Sequence, residues 1–346
     1  MSTISLKCPN CGGELLFDPK TQNYKCEYCM SAFTQGEIES LTPVEEVTEQ
    51  SQDTQEVEAN LYLCPSCGAE IVADETTTAT FCYYCHNPVV LSGKMTGDMM
   101  PDDVIPFQID RKEAEKRFLD YVQKKRFIPK AFFNKKQIEM LSGVYFPYWV
   151  CDSKSQGTMD AEARNMRVWR MGDVEYTETK HFAVEREGEL ELREMTKNAL
   201  KKANSELIDG VMPYLLKDAK PFQMGYLSGF LAERRDIEYA AYEDEINQDI
   251  QKYGEALLRN SIKGYGSVSV RHCNIEPKEK IWSYVYLPVW TITYKGKDGK
   301  VYYYSLNGQT GKVYGELPIS QGRVWKFSGA IAAVVLVLGL IGGYFL

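Results

Sequence analysis

A chain of 346 residues with 44% hydrophobic content is long enough for two or three folded units and excludes no ordinary globular class. Its formal charge of −8 is unevenly placed: residues 1–100 hold 15 acidic against 4 basic side chains, and the remainder holds 33 against 36. A head this acidic repels phosphate backbones, which disfavours nucleic acid as its partner.

The opening MSTISLKCPN lacks a basic n-region, an apolar h-region and a small-residue cleavage site, so the head is expected to stay in a reducing cytoplasm. Eight of the ten cysteines fall in two quartets, Cys8, Cys11, Cys26, Cys29 and Cys64, Cys67, Cys82, Cys85. Each quartet is two Cys-x-x-Cys pairs with 14 residues between them. That grouping is metal arithmetic rather than a disulfide framework. Each Cys-x-x-Cys turn offers two soft ligands on one knuckle, and a hairpin brings two knuckles together around a tetrahedral ion.

Ribbon 1 is expected over residues 1–35, with GELLFD pairing the segment ending NYK, and ribbon 2 over 61–93, with AEIVAD pairing TTTATFC. Four sulfurs fill the shell, so each site reads as structural Zn2+ with no open position, iron being the alternative metal. His86 follows Cys85 and reads as a solvent-facing residue beside a full shell. Two tandem zinc ribbons resemble the zinc ribbon family.

Residues 36–60 carry eight acidic side chains, no basic one and no aromatic, and read as a disordered linker that lets the ribbons move independently. An α+β soluble body with an antiparallel sheet follows over 94–322. Asp110 and Glu113 form a capping box for a helix over roughly 111–126, with Ala114, Phe118, Tyr121 and Val122 on one face. A second helix carries the stripe Tyr239, Tyr242, Ile246, Ile250, Tyr253 and Leu257, read as docked on the core rather than as a coiled coil.

Strand signals peak at IWSYVYLPVWTITY, residues 281–294, followed by VYYYSL and KVYG in a meander. Asp298-Gly299 and Asn307-Gly308 supply its positive-φ turns. An internal echo links Tyr145-Phe146-Pro147-Tyr148-Trp149 with Tyr286-Leu287-Pro288-Val289-Trp290. A mid-strand proline places each at the rim of a sheet.

Residues 323–346 read as a membrane anchor. Phe327 to Leu346 is twenty residues without a charge, which at about 1.5 Å per residue spans the hydrocarbon core. Arg323, Trp325 and Lys326 precede it as cytoplasmic-side anchors, and Gly339 with Gly343 forms a G-x-x-x-G pair suited to helix–helix association.

Catalytic signals are weak. GKDGKV and GQTGKV fail as phosphate-binding loops in spacing and lack the hydroxyl residue. Cys151 and Cys273, with His181 and His272, are the thiol and imidazole candidates of the body. A lone thiol in an apolar strand such as YWVCD is usually a small core residue.

Two ribbons, an acidic spacer, an α+β body and a terminal anchor together resemble the YdjG-like bacterial membrane-anchored proteins, which carry labels such as TFIIB-type zinc ribbon or replication-helicase-like. The helicase label is contradicted by the missing nucleotide-binding loop. The resemblance implies a bacterial inner-membrane component, single-pass with its N-terminal bulk in the cytoplasm, acting with PspA-type envelope-stress proteins and an SPFH (flotillin-like) partner. The expected function is a non-enzymatic adaptor that recruits protein partners. The alternative is a membrane-tethered nucleic-acid-binding regulator, for which Lys7, Lys20 and Lys25 are the whole basic inventory of both ribbons.

Overall fold

The computed structural model describes residues 8–13, 15–41, 59–64, 70–73, 90–95, 99–125, 127–129, 135–201, 208–296 and 300–344. They fall into two compact units: Met1–Pro147, Lys202–Arg234 and Tyr286–Leu346 form unit 1, and Tyr148–Lys201 and Arg235–Val285 form unit 2. The α+β body is divided between both.

In unit 1 the region expected as the first ribbon is a three-stranded sheet of β1 (Leu15–Asp18), β2 (Asn23–Cys26) and β3 (Ala32–Phe33). β1 and β2 pair antiparallel with Leu15 opposite Cys26 and Asp18 opposite Asn23, the hairpin that the first quartet requires. A short helix, α1 (Gln35–Leu41), follows at once. Thr34 and Glu37 close a capping box: the Glu37 carboxylate accepts from the Thr34 backbone N–H at 2.7 Å, and Thr34 Oγ1 accepts from the Glu37 N–H at 3.3 Å. The Thr34 N–H also holds the Glu37 carboxyl below its ordinary range. The span read as linker therefore begins helical, because a T-x-x-E signature outweighs acidic composition there. It ends in β4 (Ala59–Leu63), and residues 42–58 lie outside the described set.

The larger sheet of unit 1 adds β5 (Glu70–Ala73), β6 (Val90–Met95), β7 (Asp103–Val104), β8 (Ser142–Met171), β10 (Lys220–Pro221), β11 (Leu231–Glu233) and β12 (Ser267–Lys295) in the order β10-β7-β12-β8-β11-β5-β4-β6. β13 (Val301–Asn307) and β14 (Val313–Glu316) continue from β12 as the expected meander. β5 pairs antiparallel with β4 and with β11, β7 with β10, and β12 with β13, whereas β11 and β8 pair parallel. β5 carries the AEIVAD sequence of the second ribbon, yet it pairs with β11 of the body as well as with β4. A salt bridge from Arg234 to Glu70 at 2.6 Å reinforces that seam. The described parts of both regions meet the rest of unit 1, the first through Phe17 against Tyr226 and the second through β5 against β11. The expected partner of AEIVAD, TTTATFC, lies outside the described residues.

The first body helix, α2 (Arg111–Gln123), starts as expected: Asp110 Oδ1 accepts from the Glu113 N–H at 3.0 Å, and Ala114, Phe118 and Val122 are buried. Phe118 meets Tyr304 edge-to-face at 4.8 Å. A short helix, α3 (Lys135–Glu139), precedes β8. The aromatic centre of unit 1 is Phe107, stacked on Phe230 at 4.2 Å and flanked edge-to-face by Tyr145 and Trp290.

Two turn and proline expectations are corrected. The positive φ of the NGQTG turn sits at Gly311, not at Asn307-Gly308. Asn307 is fully buried and acts as a bracket, its Oδ1 accepting from the Gln309 and Thr310 N–H groups and its Nδ2 donating to the Val211 carbonyl. Asp298-Gly299 lies outside the described residues. The two prolines do not mark a rim. Pro147 falls where β8 leaves β11, paired at Val144 and Tyr145, and takes up β9 (Val174–Asn198) from Tyr148 onward. Pro288 falls where β12 leaves the Ile105–Tyr286 contact and takes up β13 from Val289 onward. A residue without an N–H fits a point where the ladder changes partner.

Unit 2 is built on the hairpin of β8 and β9, turned at Gly172 with φ +62°. The sequence reading missed this hairpin, whose signal was alternation of small or apolar residues with charged ones from Cys151 to Ala163. Alternate residues Cys151, Met159, Ala161 and Ala163 are buried with Ile246 and Ile250 of α4 (Glu243–Ser261). The helix stripe is also corrected. Its buried face is Ile246, Ile250, Gly254 and Leu258, whereas Tyr253 and Leu257 are exposed and Tyr239 and Tyr242 lie in a 3-10 turn before it. Gly254 carries the contact because a Cβ there would meet Ile275 at 2.9 Å, so the face turns about a residue that hydrophobicity counting passes over.

Beyond Asn165 the alternation in the hairpin stops. The side-chain oxygen of Asn165 accepts from the Gly266 N–H at 2.7 Å. Past that clasp, Met166, Val168, Trp169, Met171, Val174 and Tyr176 are all exposed, Met166 and Met171 to 69%. The helix α5 (Gln321–Tyr344) closes the described chain and is long and apolar enough to cross a membrane, with its apolar window unburied.

Candidate metal centre

The first quartet converges on one point. Cys8 and Cys11 sit on the knuckle before β1, and Cys26 and Cys29 on the knuckle after β2. Their four sulfurs lie within 4.8 Å of one another, with Cys8 to Cys29 at 3.4 Å and Cys11 to Cys26 at 3.5 Å. A tetrahedral ion with metal–sulfur bonds of about 2.3 Å needs sulfurs about 3.8 Å apart, so the set fits such an ion. Cys8 and Cys26 are buried, whereas Cys11 and Cys29 face solvent.

The knuckles are built alike. The Gly12 N–H donates to the Cys8 carbonyl at 2.8 Å, and the Met30 N–H to the Cys26 carbonyl at 3.0 Å. The Cys8 N–H donates to Gly13, and the Cys26 N–H to Ser31. Both turns need a left-handed residue after the second cysteine: Gly12 has φ +72° and Met30 has φ +59°. Asn10 Nδ2 donates to Ser31 Oγ at 2.9 Å and ties one knuckle to the other. Asn10, Ser31 and Met30 were missed in the sequence; only the glycine signalled its turn.

Crowded sulfurs titrate apart. Hydrogen bonds from the Ser31 hydroxyl and backbone, with Cys8 beside it, bring Cys29 down to about 6. At Cys11 the Gly13 backbone N–H pulls downward, but Cys29 and Cys26 prevail and push the thiol up to about 12. Four anions cannot share so small a volume unless a cation neutralises them, and a divalent ion leaves the centre at net −2.

The centre is fastened to unit 1. The Phe17 ring meets Tyr24 at 5.7 Å and Tyr226 at 5.3 Å, both edge-to-face. Tyr226 Oη donates to Gln35 Oε1 at 3.0 Å, and Gln22 Nε2 donates to the Phe107 carbonyl at 2.8 Å.

Of the second quartet, Cys64 is fully buried just after β4; Cys67, Cys82 and Cys85, with His86, lie outside the described residues. Among the other candidates, burial pushes the Cys151 thiol up to about 11 and raises that of Cys273. His181 Nδ1 lies 2.7 Å from Glu162, which Arg271, His181 and Arg164 hold down at about 2.

No family model and no solved structure matches the chain. It is 35% identical over 340 residues to an uncharacterized protein, YdjG, of Bacillus subtilis (strain 168), covering 98% of this chain and 97% of that one. At that identity over nearly the full length of both chains, the chain belongs to the YdjG family.

Proposed function

We propose that the chain is a non-enzymatic, membrane-anchored adaptor in which structural Zn2+ shapes the ribbons and the body presents a surface to protein partners. The observation that carries this reading is the tip of the β8–β9 hairpin. A two-stranded ribbon in water does not support six exposed large apolar side chains by itself, and such patches mark interaction sites. Trp169 and Tyr176 stack at 5.7 Å and form its aromatic centre, the residue types that anchor protein interfaces.

Other features support the reading without carrying it. All four ligand positions at the first centre are sulfur, the pattern of a closed structural site, and the same spacing in the second quartet supports a second Zn2+. A thiol raised to about 11 at Cys151 stays protonated and makes a poor nucleophile. Helix α5 supports a single pass through the bacterial inner membrane with the N-terminal bulk in the cytoplasm. PspA-type and SPFH (flotillin-like) proteins are the partners we propose, and Gly339 with Gly343 the helix–helix contact within the membrane.

The nucleic-acid reading draws less support, since Lys20 of the small basic inventory is ion-paired with Asp110. Affinity capture with the detergent-solubilised full chain tests the adaptor: Trp169→Ser with Met171→Ser should lose partners that the parent retains. Identical partner sets, or tight and steeply salt-dependent binding to DNA or RNA, would overturn it.

A further inference from the structure

The apolar helix does not leave unit 1 freely. The Ser320 N–H donates to the Phe127 carbonyl at 2.7 Å, and Arg323 Nη1 donates to the Ile128 carbonyl at 2.7 Å. The rings of Phe127 and Phe327 meet edge-to-face at 5.5 Å. These contacts seat the segment just after α2 against the first two turns of α5. Lys124 and Lys125, at the end of α2, are exposed, as are Trp325 and Lys326 on α5. The sequence between Lys124 and Lys136, KKRFIPKAFFNKK, contains no acidic residue.

Among the described residues, Lys20, Lys154 and Lys197 are each paired with a carboxylate. Among the described residues, Lys124, Lys125 and Lys326 have no such partner, although α2 is otherwise laced with Arg–Glu pairs. Like charges gathered around the foot of one helix repel unless counter-charge arrives from outside. A bilayer crossed by that helix puts lipid phosphates at this level, and tryptophan and phenylalanine at the foot of a span favour the same interfacial depth.

We propose that Lys124, Lys125, Arg323 and Lys326 form a cationic collar that binds the headgroups of anionic phospholipids at the surface through which α5 passes. The proposal rests on α5 being a membrane span. Phe127 and Phe327 set the geometry by holding the α2 end of the collar against the helix, and Arg323 serves both ends, one amino group on the Ile128 carbonyl and the rest of the guanidinium free to face phosphate. The collar gives the anchored protein a preference for anionic leaflets that an apolar span alone does not supply.

The test uses the full chain in detergent, offered phosphatidylglycerol and phosphatidylcholine in equal amounts, with retained lipids counted by native mass spectrometry. The parent should retain mainly phosphatidylglycerol. Lys124→Glu with Lys125→Glu should lower the phosphatidylglycerol-to-phosphatidylcholine ratio by about tenfold or more, from roughly a factor of five per surface lysine. Lys326→Glu should shift it in the same direction, while Lys180→Glu in unit 2 should leave it unchanged. An even ratio in the parent, or a ratio untouched by the collar variants, overturns the proposal. Carbonate extraction of membranes separates the two readings. A chain that stays embedded without lipid preference sinks the collar alone, and a chain that carbonate releases sinks the span and the collar with it.

Discussion

Lys20 Nζ, in the hairpin turn of the first ribbon, lies 2.8 Å from Oδ2 of Asp110, the residue that caps α2. One carboxylate thus serves a helix terminus with one oxygen and the hairpin of the first cysteine quartet with the other. Burial alone would raise the Asp110 carboxyl, but the Lys20 ammonium and the Glu113 N–H outweigh it and hold it below its ordinary range. The same contact, led by the Asp110 hydrogen bond, raises Lys20. The carboxylate's contribution is complete above its unfolded value of about 3.9 and is lost as pH falls through its lower folded value. The lysine's contribution is complete below about 10.4 and is lost as pH climbs through its raised folded value.

Asp110→Asn keeps a capping oxygen while removing the charge, so urea midpoints should change little between pH 3 and pH 4 relative to the parent. Asp110→Ala should cost about 1 kcal/mol more through the lost cap. Equal acid sensitivity in parent and Asp110→Asn would show that the pair does not contribute.

Metal content should follow the first quartet. Cys8→Ser should lower bound zinc by one equivalent, measured by elemental analysis of the purified chain. Chelation should also destabilise the seam where Phe17 meets Tyr226, because the β1–β2 hairpin that carries Phe17 has both cysteine knuckles at its open end. Hydrogen exchange at Tyr226 and Leu227 reads that coupling. Unchanged protection after metal removal would show that the ribbon holds its shape without the ion.

Met30 occupies a backbone conformation that its counterpart Gly12 adopts without strain. Met30→Gly should therefore stabilise the zinc-loaded protein by about 1 kcal/mol, and Gly12→Val should destabilise it by a similar amount. Denaturant midpoints at fixed zinc check both. A loss on Met30→Gly would mean that the exposed thioether makes a contact beyond its backbone role.

The echoed Pro-x-Trp segments make equivalent bonds. Trp149 Nε1 donates to the Ile237 carbonyl in unit 2, and Trp290 Nε1 donates to the Ile109 carbonyl in unit 1, each at 2.8 Å. Each acceptor lies just before a helical segment, and each strand pairs an asparagine at the next register position, Tyr148 with Asn198 and Val289 with Asn307. Trp290→Phe should cost about 1–3 kcal/mol by orphaning a buried carbonyl, and Trp149→Phe should cost a similar amount. Calorimetric midpoints of the two variants measure it.

The sequence by itself determined the features whose physics is local. Cys-x-x-Cys supplies two ligands within one turn, so spacing alone located Cys8, Cys11, Cys26 and Cys29 around a common point. Asp110 with Glu113 spans one helical turn, and twenty uncharged residues make a helix long and apolar enough to cross a bilayer without reference to any partner. Tertiary structure alone decided the rest, because it depends on residues far apart in the chain that carry no mutual signal. Lys20 found Asp110, Phe17 found Tyr226, and β5 found β11, contacts that the linker composition of residues 36–60 gave no sign of. Pro147 and Pro288 became points of ladder exchange only once their strands had two successive neighbours. The exposure of the Met166–Tyr176 tip followed from where α4 ends: side chains that alternation would bury stay in water when no second layer reaches them.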